Sequence, residues 1–218
     1  MCIMSLKQTI RNSTAFSICL AFYKRYFYNR RSKFGYIHPS AFVRLPALIK
    51  GRENVFLYEN THLLAQAKIL AVRAKFIMKK NAVAAEGLTV VTGNHYSKVG
   101  MWLREIPNEM KPKDLDKDVV VEEDVWIATN VTLLSGVHVG RGAVIGSGSV
   151  CRNNIPPYAM VMGNPAKVVG FKFTPEEVIE HEKALYPMEE RLPIEKLEKN
   201  YKKYFVDRIK EIKNYLKS

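Results

Sequence analysis

The chain has 218 residues, of which 47% are hydrophobic and 25% charged, enough to bury a core and keep a solvated surface, which excludes wholesale disorder and a disulfide-stapled miniprotein. Its formal charge of +13 is an N-terminal property: no Asp or Glu precedes Glu53, residues 1–52 carry ten Lys/Arg, and the rest of the chain nets only +3. The cysteines Cys2, Cys19 and Cys151 form no CxxC, which speaks against a disulfide framework or zinc knuckle and favours a reducing, cytoplasmic setting.

Residues 1–35 read as a basic, aromatic helical segment. Apolar spacing at Ile10, Phe16, Leu20, Tyr23 and Phe27 predicts a helix within residues 5–30, with Gly35 as its stop. The apolar stretch from Ala15 to Tyr23 is nine residues long, too short to span a bilayer. No A-x-A-like cleavage site accompanies it, so it reads as part of a helix and not as a secretion signal. Phe22, Tyr23, Tyr26, Phe27 and Tyr28 interleave with Lys24, Arg25, Arg30 and Arg31. Such a face suits an anionic membrane surface, or packing on the body of the protein or on a neighbouring subunit.

Residues 36–173 carry a six-residue rhythm. It starts unevenly, with Ile37/Val43/Ile49, then Leu57/Leu63/Ile69, then Val72/Met78/Ala84/Val90; the changes of frame predict at least two slips or bulged corners. The rhythm vanishes after Val90. Residues 96–118 hold Pro107, Pro112 and many charges, and are expected to leave the repeating body and return to it. From Val121 the period is regular: Val121, Ile127, Leu133, Val139, Ile145 and Cys151 form one series. Val125, Val131, Val137, Ala143 and Ser149 form a second, two places ahead of the next member. Residues two apart share a strand face. Each unit is therefore a very short strand with an inward pair, followed by a corner where Gly136, Gly140, Gly142, Gly146 or Gly148 lets the chain turn. A flat sheet has no use for such units, whereas a coil that turns every six residues stacks them. The period predicts a mainly β protein, a parallel β-helix.

Residues 174–218 read as a helical extension. Thr174-Pro175-Glu176-Glu177 has the form of an N-cap, first-turn proline and acidic first turn. Pro187 and Pro193 punctuate the rest of the extension, and Ile194, Leu197, Tyr201, Tyr204, Phe205, Ile212 and Leu216 continue the helical spacing. Covering an open end of the coil is the expected role.

The run Asp124-Val-Trp-Ile-Ala-Thr-Asn-Val, continuing through Ile145-Gly-Ser-Gly-Ser-Val and Ile155-Pro-Pro-Tyr to Gly163-Asn-Pro-Ala-Lys167, resembles the hexapeptide-repeat acyltransferases. Within them it is most similar to sugar O-acetyltransferases of the galactoside, maltose and polysaccharide-modifying type, over about residues 77–173. The resemblance implies a left-handed coil, assembly as a homotrimer with active sites between subunits, and acetyl-CoA as donor. It implies no metal and no nucleic-acid partner. The acceptor it implies is a hydroxyl of a sugar or polysaccharide precursor.

His95, in Val90-Val-Thr-Gly-Asn-His-Tyr, matches the family's catalytic histidine. A sugar hydroxyl is a poor nucleophile, and attack on a thioester needs a base near neutral pKa, which imidazole supplies. By the same resemblance Trp126 lines the acceptor site or packs between subunits. Ala128, Thr129, Ser147 and Gly148 match a strip of small residues along which the pantetheine arm lies, though corners also demand small residues. Arg152 and Lys167 match basic positions for the phosphates of coenzyme A; Arg152 stands one place from the usual cation. Gln66 is the nearest counterpart to an asparagine that assists the histidine in some relatives, in the wrong frame, and is not assigned.

Gly140-Arg-Gly142-Ala-Val-Ile145 has isoleucine where a dinucleotide fingerprint needs glycine. The histidines at 38, 62, 95, 138 and 181 offer no H-x4-H pair for a three-histidine zinc site. The alternatives that remain are acetylation of an amino sugar or an antibiotic, and a non-catalytic β-helical module whose basic arm faces membrane or nucleic acid.

Overall fold

A computed structural model describes residues 13–26 and 31–217; of Lys24, Arg25 and Tyr26 it describes the backbone only. The six-residue rhythm becomes a stack of triangular rungs. Three successive rungs run β1 (Tyr36–Ile37), β2 (Phe42–Val43), β3 (Leu48–Lys50), then β4 (Val55–Leu57), β5 (His62–Leu63), β6 (Lys68–Leu70), then β7 (Phe76–Met78), β8 (Val83–Ala84), β9 (Thr89–Val91). After the excursion come β10 (Val119–Val121), β11 (Trp126–Ile127), β12 (Thr132–Leu133), and β13 (His138–Val139), β14 (Val144–Ile145), β15 (Val150–Cys151). Every third strand pairs in parallel, giving three faces, here the first, second and third in order along a rung. This is the parallel β-helix that the period predicts.

The register places the inward residues directly above one another. Leu57, Met78, Val121 and Val139 form one ladder, Leu63, Ala84, Ile127 and Ile145 the next, and Ile69, Val90, Leu133 and Cys151 the third. All are essentially buried, each contributing roughly 1.5–3 kcal/mol before the entropy of ordering is subtracted. Burial also pushes the Cys151 thiol up to about 12, so this cysteine is core and not chemistry.

Corners repeat as regularly as strands. Asp124, Asn130, Gly136, Gly142 and Gly148, six apart, all adopt left-handed φ between 54 and 84°, the conformation that Asn, Asp and Gly tolerate best. Gln66, at φ 63°, belongs to the same set, so its place in the chain is a turn. Gly142 has a second reason: a Cβ there would stand 2.5 Å from the Tyr158 ring.

The predicted frame changes fall at one edge, where the third face turns into the first. The step from Ile49 to Leu57 takes eight residues, that from Ile69 to Met78 nine, and that from Val90 to Val121 spans the excursion. Val72, expected inward, is 61% exposed, because the enlarged corner carries it outside the coil. The excursion holds two 3-10 turns, Asn108–Met110 and Lys113–Leu115.

At the N-terminal side lies helix α1 (Thr14–Tyr26). Its described side chains, Phe16, Ile18 and Leu20 among them, are exposed. Ile10, Phe27, Tyr28 and Arg30 lie outside the described residues, as does the expected helix over 5–12 and 27–30. Gly35 follows a 3-10 turn, Arg31–Lys33, and serves close approach, since a Cβ there would collide with the Glu53 carbonyl.

At the other end β16 (Ala159–Met162) extends the second face and β17 (Lys167–Phe171) closes it in antiparallel fashion. Thr174 is the predicted N-cap of α2 (Pro175–Leu185), and with Glu177 it forms a capping box. Helices α3 (Ile194–Tyr204) and α4 (Ile209–Tyr215) follow. Leu197 and Ile212 are buried as their spacing requires, whereas Leu216 is 56% exposed, past the end of the last helix. Glu182 fastens this cap: fully buried, it accepts from the Tyr158 hydroxyl at 3.0 Å, Arg141 at 3.2 Å and the Leu192 amide at 2.5 Å.

Candidate active site

His95 follows β9 at the edge where the third face turns into the first. The chain leaves the coil at Thr92, whose buried hydroxyl donates to the Ala74 carbonyl at 3.0 Å, while its own carbonyl accepts from Ser135 Oγ at 2.8 Å and from the returning Lys117 amide at 3.2 Å. Two residues on, Asn94 is held on both sides. Its amide donates to Asp116 Oδ1 at 2.7 Å, its carbonyl accepts from Lys111 Nζ at 2.5 Å, and its own side chain donates to the Leu115 carbonyl at 2.9 Å. Lys111 and Asp116 pair at 2.6 Å. Burial alone would push the Asp116 carboxyl up, but hydrogen bonds from Lys111 and the Asn94 amide, with the charges of Lys111 and Arg73, hold it below the usual carboxylate range.

The His95 ring is exposed and accepts or donates no hydrogen bond among the described residues. It stands at a cavity of about 320 Å³ between the coil edge and the excursion, lined by Leu70, Val72, Arg73, Leu103, Pro107 and Lys111 among others. Arg73 ties the far wall in place through Asn108 at 2.9 Å. An imidazole with a free nitrogen at the rim of a partly apolar cleft can take a proton from a hydroxyl placed there.

The other residues singled out in the sequence lie elsewhere. Trp126 projects from the second face between Val83 and Val144 and is 57% exposed. Ala128, Thr129, Ser147 and Gly148 stack at the edge between the second and third faces, with Thr129 Oγ1 donating to Ser147 Oγ at 3.2 Å. This strip is open to a ligand: Thr129, Ser147 and Gly148 are exposed, and a Cβ on Gly148 would meet nothing within 4 Å. Gly148 is accounted for by its φ of 71° and not by crowding. Arg152, exposed, follows β15 at the same edge as His95. Lys167 opens β17, 3.8 Å from Glu211 and over the Tyr215 ring. Within one chain the histidine and the small-residue strip are therefore on different edges of the prism, and none of the other predicted site residues lines the His95 cavity. Among the described residues no cluster of three or more His, Cys, Asp or Glu could hold a metal ion.

Asn94, Lys111 and Asp116 were not singled out in the sequence. Nothing in the spacing of a charged loop shows which carboxylate folds back onto the peptide before the histidine.

The coil with its triangular rungs defines a hexapeptide-repeat protein, and residues 118–153 match the family model described as bacterial transferase hexapeptide (six repeats). In its repeat and its fold the chain resembles the hexapeptide-repeat acyltransferases. It is 32% identical over 113 residues to a probable macrolide acetyltransferase of Lysinibacillus sphaericus, covering 50% of this chain and 59% of that protein. It is 30% identical over 122 residues to the putative lipopolysaccharide biosynthesis O-acetyl transferase WbbJ of Escherichia coli K12, covering 55% and 61%. The chain thus spans about six-tenths of the length of these relatives. A solved hexapeptide-repeat-containing acetyltransferase of Vibrio cholerae O1 biovar eltor, complexed with acetyl coenzyme A, shares the fold: TM-score 0.57, 22% identity, 76% of this chain and 82% of that one.

Proposed function

We propose that the protein is an acetyl-CoA-dependent O-acetyltransferase that acts on a hydroxyl of a sugar or polysaccharide precursor, with His95 as general base. The observation that carries this reading is the placement of His95: an unengaged imidazole at the mouth of a cavity, on a backbone held from both sides. The relative named for lipopolysaccharide O-acetyl transfer supports the acceptor class. Bound acetyl-CoA would supply the acetyl group as an activated thioester. His95 takes the acceptor hydroxyl's proton as the new ester bond forms and returns it to the departing sulfur, so the transfer is direct, without an acyl-enzyme.

Thr129, Ser147 and Gly148, with Ala128 beside them, would carry the pantetheine arm, Arg152 and Lys167 its phosphates, and Trp126 the acceptor. Since the strip and the histidine occupy different edges, the reading requires a neighbouring copy to bring a strip against each His95, and a homotrimer does so three times over. Acetyl-CoA places the reaction in the cytoplasm, and the basic N-terminal segment would hold it at the inner membrane face, where lipid-linked glycans are built. No helix among the described residues is long and apolar enough to cross a membrane.

The macrolide relative favours a second reading, a hydroxyl on an antibiotic. One experiment separates these: incubation with acetyl-CoA and a panel of glycans, amino sugars and macrolides, following thiol release and locating the acetyl group by mass. His95→Ala should lower turnover by about 10²–10⁴-fold with the melting temperature and oligomeric state unchanged. Turnover near wild type in that variant removes His95 from the mechanism, and an acetylated amine in place of a hydroxyl overturns the O-transfer reading.

A further inference from the structure

We propose that Asp116 and Lys111 are positioning residues: their ion pair grips both peptides that flank Asn94 and so makes the orientation of His95 conditional on the docked excursion loop. The proposal rests on the reading of His95 as the base and adds what holds it.

The geometry is specific. Asp116 Oδ1 accepts the N–H of the peptide entering Asn94 at 2.7 Å. Lys111 Nζ donates at 2.5 Å to the carbonyl of the peptide joining Asn94 to His95. The two side chains complete the ring through their own contacts of 2.6 and 2.7 Å. Both are nearly withdrawn from water, with 13% and 7% of the Lys111 and Asp116 side chains exposed. Pairs of this kind are screened far less than surface bridges, and a hydrogen bond to a charged partner is about twice as strong as a neutral one.

Closing the loop does not require this pair. The base of the excursion is pinched by an independent set, in which Lys117 N donates to the Thr92 carbonyl and to Ser135 Oγ, and Lys75 N donates to Asp118 Oδ1 at 2.7 Å. The backbone contacts of Asp116 and Lys111 are instead directed at Asn94, one residue from the imidazole. The same loop supplies Leu103, Pro107 and Asn108 to the cavity wall, and Asn108 is tied to Arg73. A segment that closes over the acceptor therefore also carries the lysine that fixes the base, which couples occupancy of the cavity to the attitude of the ring. Without the pair, the Gly93–Asn94 backbone loses its two charged anchors and the ring of His95, which has no hydrogen bond of its own among the described residues, loses its reference.

The test uses the full chain with Asp116→Ala, Asp116→Asn, Lys111→Met and the charge-keeping Lys111→Arg. A displacement of the order of 1 Å costs about 10²-fold. Asp116→Ala and Lys111→Met should therefore lower kcat by that factor, with KM for acetyl-CoA within roughly twofold of wild type, the split expected when positioning and not binding is lost. Lys111→Arg should recover part of the loss. Histidine-ring NMR supplies a readout free of turnover: the His95 signals, assigned by their loss in His95→Gln, should shift or split in Asp116→Ala while those of His38, His62 and His138 stay in place. Asp116→Asn keeps an acceptor for the Asn94 amide but discharges the pair, and serves if the alanine variant does not fold. Unchanged ring signals together with unchanged kcat in the folded variants overturn the proposal. Shifted ring signals alongside a fully active His95→Ala leave the clamp standing and remove the base, so the two failures are distinguishable.

Discussion

Glu122 accepts from His138 Nε2 and Lys79 Nζ, each at 2.7 Å, on the outer surface of the first face. Burial alone would raise its carboxyl, but hydrogen bonds and charges from these two partners lower it from 4.5 to about 2. A carboxylate held below its unfolded value stabilises the fold above about pH 4.5 and loses that contribution as the pH falls through about 2. Glu122→Gln should therefore melt at a lower temperature than wild type near neutrality, and the gap should narrow as the pH falls from 4.5 towards 2. Melting curves across that range check it, and a gap that does not change with pH would show that the charge is not what stabilises. This cluster was invisible in the sequence. Glu122 and His138 are sixteen residues apart, and only the stacking of β10 on β13 makes them neighbours.

The C-terminal helices and the N-terminal helix have opposite relations to the coil. Helix α2 is locked by Glu182, which faces Tyr158 and Arg141 from the coil and the Leu192 amide from the segment before α3. Removing that carboxylate leaves the buried Tyr158 hydroxyl and the Leu192 amide without their acceptor, while Arg141 keeps Glu123 and the Glu190 carbonyl. Glu182→Ala should cost about 1–3 kcal/mol for each stranded donor by urea denaturation, whereas a total loss of under about 1 kcal/mol is what a surface pair would give. The N-cap at Thr174 and the breaks at Pro187 and Pro193 were legible in the sequence because caps and prolines act within one turn. The partner of Glu182 was not, since it is supplied from another part of the chain. Helix α1 instead presents Phe16, Ile18 and Leu20 to the outside in a segment with no acidic residue. Flotation with vesicles containing anionic lipid should retain the intact protein and lose a variant lacking residues 1–30; equal flotation of both removes the membrane proposal.

In the proposed homotrimer, the proposed base on one edge and the proposed cofactor strip on another would make a site that a single chain does not complete. The consequence is complementation. His95→Ala and a variant with the strip blocked, Thr129→Trp, should each be inactive alone, yet mixed trimers obtained by co-expression should regain part of the activity, because some interfaces join an intact histidine to an intact strip. Co-purified mixtures with no recovered thiol release would place the whole site within one chain.

The coil was determined by sequence alone, because a period of six with an inward aliphatic pair admits one regular solution: each rung buries its pair only by stacking on the next. Glycine corners, and the excursion at residues 96–118, announced themselves by punctuating or breaking that period, whereas the left-handed turns at Asp124 and Asn130 emerged only in the structure. The motif around His95 singled it out, and the structure puts it at a cavity, where its role as base is a proposal. What only the tertiary structure decided is everything set by contacts between edges: the exposure of Val72, the grip of Asp116 and Lys111 on Asn94, and the separation of the histidine from the strip. The reason is physical. A repeat specifies the rung and its inward face locally, whereas which charged side chain of a long loop folds onto which peptide depends on distances that exist only once the rungs are stacked.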